Sequence, residues 1–395
     1  MKRAVQSGPK SIKNINVRNN KVLVRVDFNL PIHGVKITDS SRVIAAKKTI
    51  DWLIKEGATV FLISHFGDAN GKKDKNYSLR KILPFVKKTL GQKIIFVPDC
   101  VGKTRDEAIL KSKKGQIYLL ENTRFYFGEK ENDPIFAKEL ARGYDYFVNE
   151  AFSSSHRAHA STVGITKYLP SYSGFNLTEE CEALSSILEN PKSPFVAVIG
   201  GAKISSKIDI LKNLIEKVDV LIIGGGMANN FLAAEGYEIG RSFYEENFID
   251  SAEEISRMAY DKAIEFLLPD DVLVAKKIGA RARVQKKDID QVSKGDVIAD
   301  IGPKSVAKFI EPINFAGTIF WNGPLGISEF KPFSGATQAL ANVISKSKGR
   351  SIIGGGDTLA SVKGKNLKFD FVSTGGGATL ELVAGHKLPG IEALR

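Results

Sequence analysis

Arginine and histidine recur in the first 160 residues where short apolar runs end. The run 22–28 delivers Asp27, Phe28 and Asn29, and Arg42 opens the helical stretch after it. The run 59–63 ends in Ser64-His65-Phe66-Gly67-Asp68, and 117–120 ends in Glu121-Asn122-Thr123-Arg124-Phe125. The run 146–148 ends in Asn149-Glu150-Ala151-Phe152, shortly before His156-Arg157-Ala158-His159. Guanidinium forks match carboxylate and phosphate oxygens in bidentate geometry, so Arg42, Arg124, Arg157 and His65 together describe a pocket for a small polyanion. Singly, each has an ordinary alternative: a surface ion pair for a loop arginine, a structural role for a histidine. Four on one edge favour a site.

The second half carries a different device. Residues 195–199 run into Gly200-Gly201-Ala202-Lys203, and 220–223 into Gly224-Gly225-Gly226-Met227. Residues 318–321 run into Asn322-Gly323-Pro324-Leu325-Gly326, 351–353 into Gly354-Gly355-Gly356-Asp357-Thr358, and 371–373 into Thr374-Gly375-Gly376-Gly377-Ala378. Glycines let backbone N–H groups approach phosphate oxygens, and helix N-termini add partial positive charge. One such turn is weak evidence, because a tight strand-to-helix turn needs glycine for steric reasons alone. Five on one edge point to a nucleotide phosphate chain. No G-x-x-x-x-G-K-[ST] and no G-x-G-x-x-G is present, which disfavours a P-loop ATPase and a typical dinucleotide dehydrogenase.

These loops need strands and helices that alternate. Val43, Ala46, Ile50 and Leu53 follow a 3.6-residue period up to Gly57, and Leu79, Ile82, Leu83, Val86 and Leu90 repeat it up to Gly91. The expected fold is α/β, with two doubly wound (Rossmann-like) parallel-sheet domains joined by a hinge helix. Leu169-Pro170-Ser171-Tyr172-Ser173-Gly174 interrupts the pattern and precedes a helix expected from about 178 to 189, closed by Pro191 and Pro194. The division expected is residues 1–172, a connector at 173–190, and a second domain at 191–384.

The chain has 395 residues, 43% of them hydrophobic and 26% charged, values of a globular protein rather than a disordered one. Residues 1–175 carry 31 Lys and Arg against 16 Asp and Glu; the remainder carries 26 against 28. The basic half suits an anionic partner, although a lysine-rich solvated surface explains most of its lysines. Nucleic acid is disfavoured, since no aromatic–basic interleaving is present. No apolar run reaches the ~18–20 residues of a membrane helix. Met1-Lys2-Arg3 leads into polar Gln6, Ser7 and Lys10, with no secretory h-region. Cys100 and Cys181 are too few for a disulfide framework or a multi-cysteine zinc site, so a reducing cytoplasm is the expected compartment.

With these motifs in order along nearly the whole chain, the sequence resembles the phosphoglycerate kinase family. The stretches that carry the resemblance include Arg25-Val26-Asp27-Phe28-Asn29-Leu30-Pro31, Ser64-His65-Phe66-Gly67, His156-Arg157-Ala158-His159-Ala160-Ser161, Gly200-Gly201-Ala202-Lys203-Ile204-Ser205-Ser206-Lys207 and Trp321-Asn322-Gly323-Pro324-Leu325-Gly326. The resemblance implies reversible phosphoryl transfer between 1,3-bisphosphoglycerate and ADP, direct and in line, with hinge closure and a magnesium nucleotide. It places 3-phosphoglycerate against Asp27, Phe28, Asn29, Arg42, His65, Phe66, Gly67, Asp68, Arg124 and Arg157. It places the nucleotide against Gly201, Ala202, Lys203, Lys207, Gly224, Gly225, Asn322, Pro324, Glu329, Gly355, Gly356, Asp357 and Thr358, with Asp357 on Mg2+. Arg42, Lys207 and the amides at Gly375, Gly376 and Gly377 would meet the migrating group. A monomer is implied, with the tail 385–395 returning onto the N-terminal domain.

Three departures from the family pattern stand out. Asp68 occupies the place of an arginine, which implies weaker substrate binding unless Lys72, Lys73 or Lys75 bends back. Glu150 and Ser153 replace an aspartate and a glycine, and Ser328 an aromatic residue; these bear on packing. A weakened paralogue that mainly binds nucleotide, and a nucleic-acid role for the basic half, are the alternatives.

Overall fold

Val22, Val24 and Val26 pack into one apolar cluster while Leu23, with Phe61 and Ile63 of the neighbouring strand, packs into another. Side chains of a strand alternate between faces, so both faces of this sheet are covered, as a parallel sheet requires. The computed structural model describes residues 8–33, 36–37 and 39–395. Met1–Ser7, on which the expectation of no secretory leader rests, lies outside them. The chain forms two compact units, Met1–Glu182 with Lys387–Arg395, and Ala183–His386.

In the first unit β1 (Lys21–Arg25) leads through a two-strand hairpin, β2 (Ile32–His33) and β3 (Lys36–Ile37), to α1 (Ser41–Lys55). There follow β4 (Thr59–Ile63), α2 (Leu83–Leu90), β5 (Ile94–Val97), α3 (Lys103–Leu110), β6 (Ile117–Leu120), α4 (Pro134–Ala141), β7 (Tyr146–Asn149) and β8 (Ser171–Ser173). The sheet order is β5-β6-β4-β1-β7-β8, all parallel. Val43, Ala46, Ile50 and Leu53 of α1 cover one face; Phe136, Ala137, Leu140 and Ala141 of α4 cover the other. Each fully buried branched side chain stabilises the unit by about 1.5–3 kcal/mol. The helical stretch expected over 79–90 is broken: a 3-10 turn, Leu79–Lys81, precedes α2, whose first turn contains Pro84.

The boundary between the units falls inside α5 (Phe175–Glu189), which starts three residues before the position read from sequence. Its first turn is anchored by buried Glu150, which accepts from Asn176 N–H at 3.1 Å and Leu177 N–H at 3.4 Å.

The second unit has β9 (Phe195–Ile199), α6 (Ile208–Ile215), β10 (Val220–Ile223), α7 (Ala228–Ala234), α8 (Ile249–Asp261) and β11 (Glu265–Leu267). An antiparallel insertion follows, β12 (Asp271–Ala275), β13 (Gln285–Asp288) and β14 (Val297–Ile301), which the sequence reading did not contain. The chain then continues through α9 (Pro303–Phe315), β15 (Thr318–Asn322), α10 (Gly335–Ile344), β16 (Arg350–Gly354), α11 (Gly356–Val362), β17 (Phe371–Val372) and α12 (Gly377–Val383). The parallel sheet runs β11-β10-β9-β15-β16-β17. Numbered within the sheet this is 3-2-1-4-5-6, whose strand order reverses between β9 and β15. The tail ends in α13 (Pro389–Glu392), within the first unit, where Gly390 N–H donates to Ser155 O at 2.8 Å and Lys10 N–H to Leu394 O at 3.1 Å.

Candidate functional sites at two sheet edges

In the first unit, crossovers leave β1 on one side toward β4 and reach β7 on the other, so ligands are expected at the carboxyl ends of β1 and β7. Asp27 and Asn29 sit there. Asp27 Oδ1 accepts from Asn29 N–H at 3.0 Å, and Arg42 Nη1 lies 3.1 Å from Asp27 Oδ2 and donates to Asn29 O at 2.8 Å. Asn29 Oδ1 in turn accepts from Gly67 N–H at 2.9 Å. Phe28 and Phe66 are buried beneath, and Asn122 clamps the loop by accepting from Phe66 N–H at 3.2 Å and donating to Phe66 O at 2.7 Å. Arg124 Nη1 donates to Gly67 O at 2.8 Å, while its buried Nε has no partner. A buried donor left open is costly unless a ligand supplies the acceptor. Arg157 is exposed and donates from Nε to His156 Nε2 at 3.0 Å.

Burial, aided by the charges of Arg25, Arg124 and Arg42, holds the His65 imidazole well below its usual range. It is neutral near pH 7. Burial and Arg124 likewise push His159 down to about 4. The sequence reading placed none of the groups behind His65 in the site, namely fully buried Arg25, Ser161 and Glu129. For Arg25 the available signal was a charged residue closing an apolar strand; Ser161 and Glu129, on loops, offered none.

Two of the departures take a definite form. Asp68 is exposed and pairs with Lys130 at 2.7 Å, with Arg124 Nη1 at 4.0 Å. Lys73, one of the three lysines expected to compensate, is instead bound to Asp99 at 2.7 Å. The Ser153 hydroxyl donates to Asp27 Oδ2, a contact made with the candidate site rather than with packing alone.

In the second unit the turns after β9, β10 and β15 interlock beside the reversal point. Gly201 N–H donates to Pro324 O at 2.9 Å, Gly225 N–H to Leu325 O at 3.0 Å, and Met227 N–H to Gly201 O at 3.0 Å. A Cβ on Gly323 would stand 2.2 Å from the Gly200 carbonyl carbon, with φ at +101°. Gly323 is required by the chain itself. Gly356 is different: nothing lies within 4 Å of the place its Cβ would take, and it begins α11. Neither crowding nor a left-handed backbone calls for glycine there, so the open space is the available reason.

Around that space a cavity of about 450 Å³ is lined by Gly201, Ala202, Lys203, Lys207, Asn322, Gly355, Gly356, Asp357, Thr358 and Gly376, among others. Lys207 precedes α6, is buried, and donates from Nζ to Asn322 Oδ1. Burial pushes its ammonium down to about 8 against the opposing pull of Asp357. Asn322 Nδ2 is buried without a partner. A second cavity of about 320 Å³ shares Gly201, Ala202, Pro324 and Asp357, and is otherwise mostly apolar: Leu232, Phe243, Val272, Ile298, Ile301 and Leu325, with Glu329 on its lining. Its far wall is the antiparallel insertion, so Val272, Asp300 and Ile301 were missed, as was Phe243 from the loop between α7 and α8. Gly224 lines neither cavity; its Cβ would meet the Leu325 side chain at 2.4 Å. Gly375 is buried and its N–H already donates to Ser373 Oγ at 3.2 Å, leaving Gly376 and Gly377 at the cavity.

Among the described residues no cluster of three metal-binding side chains exists. A lone exposed carboxylate, Asp357, beside two lysines suits Mg2+, which is commonly held by one or two carboxylates plus substrate phosphates.

One parallel-sheet unit with a cation-lined edge and another with a glycine-walled cleft define a doubly wound, two-unit α/β protein. The chain belongs to the phosphoglycerate kinase family, whose model matches residues 12–386. The phosphoglycerate kinase of Moorella thermoacetica is 43% identical over 386 residues, covering 97% of this chain and 98% of its own. That of Dictyoglomus turgidum is 44% identical over 387 residues, with 97% and 98% covered. The structure of phosphoglycerate kinase from Coxiella burnetii superposes with a TM-score of 0.88 at 41% identity, covering 98% of each chain.

Proposed function

We propose that this protein catalyses reversible phosphoryl transfer between 1,3-bisphosphoglycerate and ADP, giving 3-phosphoglycerate and ATP, as a cytoplasmic monomer. The observation that carries the reading is the pair of unsatisfied buried donors, Arg124 Nε at one sheet edge and Asn322 Nδ2 at the other, within a family-wide match. The first unit takes 3-phosphoglycerate: Arg42, Arg124 and Arg157 supply forked donors, and Asn29 and Asp27 fix the loop. The second takes the nucleotide, with its phosphates over Gly201, Lys203 and Gly356 and its nucleoside in the apolar cavity. Mg2+ on Asp357 would neutralise phosphate charge. The acceptor is a carboxylate, already a usable nucleophile, so no catalytic base is assigned. Catalysis is then positioning and charge stabilisation. Arg42 of the first unit and Lys207 of the second are the cations assigned to the charge of the migrating group.

A coupled assay with ATP and 3-phosphoglycerate tests this directly. Magnesium-dependent turnover is expected; nucleotide binding without turnover would leave only a nucleotide-binding protein.

A further inference from the structure

Arg25 is fully buried at the end of β1, and each of its donor atoms has a fixed acceptor. Nε donates to Ser161 Oγ at 2.9 Å, Nη1 to Val26 O, and Nη2 meets His65 Nδ1 at 2.9 Å. Ser161 is held by buried Glu129, which accepts from its hydroxyl at 2.5 Å and its N–H at 3.1 Å. A guanidinium has donors only, so its partner on His65 must be a lone pair. A neutral imidazole with Nδ1 accepting carries its proton on Nε2. No acceptor among the described residues is recorded for Nε2, and the nearby charges of Arg25, Arg124 and Arg42 oppose a second proton.

We propose that Arg25, anchored through Ser161 to Glu129, is a positioning residue that locks His65 as an Nε2–H donor for an anionic oxygen of the substrate. This rests on the assignment of 3-phosphoglycerate to the first unit. The selection has a chemical consequence. With the other tautomer a lone pair would face the anion, and the imidazole would repel the substrate it is placed to hold. Arg25 thereby sets the direction of His65 without touching the ligand, while the three site arginines bind through their own donors.

Ring-nitrogen NMR on the full-length protein tests it. The wild type is expected to show His65 as the neutral Nε2–H form from pH 6 to 9, with the Nε2 signal moving on addition of 3-phosphoglycerate. Arg25→Met should admit the second tautomer and raise KM for 3-phosphoglycerate by roughly tenfold, as for one lost charge-assisted hydrogen bond, with nucleotide KM unchanged. If that variant does not fold, Ser161→Ala loosens the same anchor and reads the same signature. An Nδ1–H form or an imidazolium at neutral pH in the wild type would overturn the positioning role. An Nε2–H form whose signal ignores 3-phosphoglycerate would overturn the proposal through the substrate assignment instead.

Discussion

The two units hold their candidate ligands by opposite means. The first builds its edge from side chains, with Arg42, Arg124 and His65 each oriented by a hydrogen bond to a neighbouring loop or strand end. The second builds its edge from main chain, where glycine turns pack so closely that Gly323 would place a Cβ 2.2 Å from Gly200. A side-chain site loses function one donor at a time. A backbone site loses it when a methyl group is added. Substitutions that separate these two behaviours therefore test the assignment of each site.

The largest effect is expected where backbone meets backbone. Gly323→Ala combines a left-handed backbone with overlap onto Gly200, a cost of about 2–5 kcal/mol, and should lower the urea midpoint of the second unit sharply. Gly356→Ala has open space and a helical position, so stability should hold or rise by about 0.4–1 kcal/mol. Its nucleotide affinity should fall all the same. Calorimetry showing undiminished nucleotide binding in Gly356→Ala would remove the cradle from this cleft.

Next come the two cations assigned to the transition state. Lys207→Ala should reduce kcat by about 10²–10³-fold, the scale of one lost donor to developing charge. Arg42→Ala should likewise lower kcat more than it raises either KM. Turnover near normal in either variant would reassign that residue to ground-state binding or to structure.

A smaller change is expected at Asp68, where the two sites' logics meet a departure from the family pattern. Its carboxylate occupies Lys130 and stands beside Arg124, so it draws two cations away from an incoming anion. Asp68→Arg should tighten 3-phosphoglycerate by roughly tenfold, equivalent to about 1.4 kcal/mol, with nucleotide affinity unchanged. Isothermal titration showing equal affinity would mean that position 68, exposed as it is, serves solvent only.

Periodic and local features were legible in the sequence. The alternating valines of β1, the helix face Val43-Ala46-Ile50-Leu53 and all five glycine turns follow from rules of spacing. The insertion β12–β14 was not read, because Asp271–Ala275 pairs antiparallel with Val297–Ile301 across an intervening strand, a non-local pairing that no local spacing announces. The same holds inside the site. Arg42 and Arg124 announce themselves by type, whereas Ser153 reaches Asp27 and Glu129 reaches Ser161 only through the fold. The unequal roles of Gly323 and Gly356 were equally hidden, since both appear in sequence as members of a glycine-rich turn.

The least disruptive comparison uses pH, because each unit buries one group whose titration moves toward the same value from opposite sides. Burial raises the Glu150 carboxyl from 4.5 to about 8 and lowers the Lys207 ammonium from 10.5 to about 8. Between about pH 4.5 and 8 the folded first unit binds a proton that the unfolded chain has released, so Glu150 makes that unit less stable as pH rises. Between about 8 and 10.5 the unfolded chain binds a proton that folded Lys207 lacks, so Lys207 makes the second unit more stable as pH rises. Each slope is at most about 1.4 kcal/mol per pH unit. The chain's two tryptophans, Trp52 and Trp321, fall one in each unit. Trp321→Phe and Trp52→Phe thus give separate fluorescence reports of the first and second units in urea. Glu150→Gln keeps an acceptor for Thr49, at 2.7 Å, and for Asn176, yet cannot ionise. It should flatten the first unit's decline and leave the second unit's rise intact, while Lys207→Met should do the reverse. A first-unit slope that survives Glu150→Gln would assign the decline to other groups and leave the buried carboxyl at the head of α5 ionised throughout.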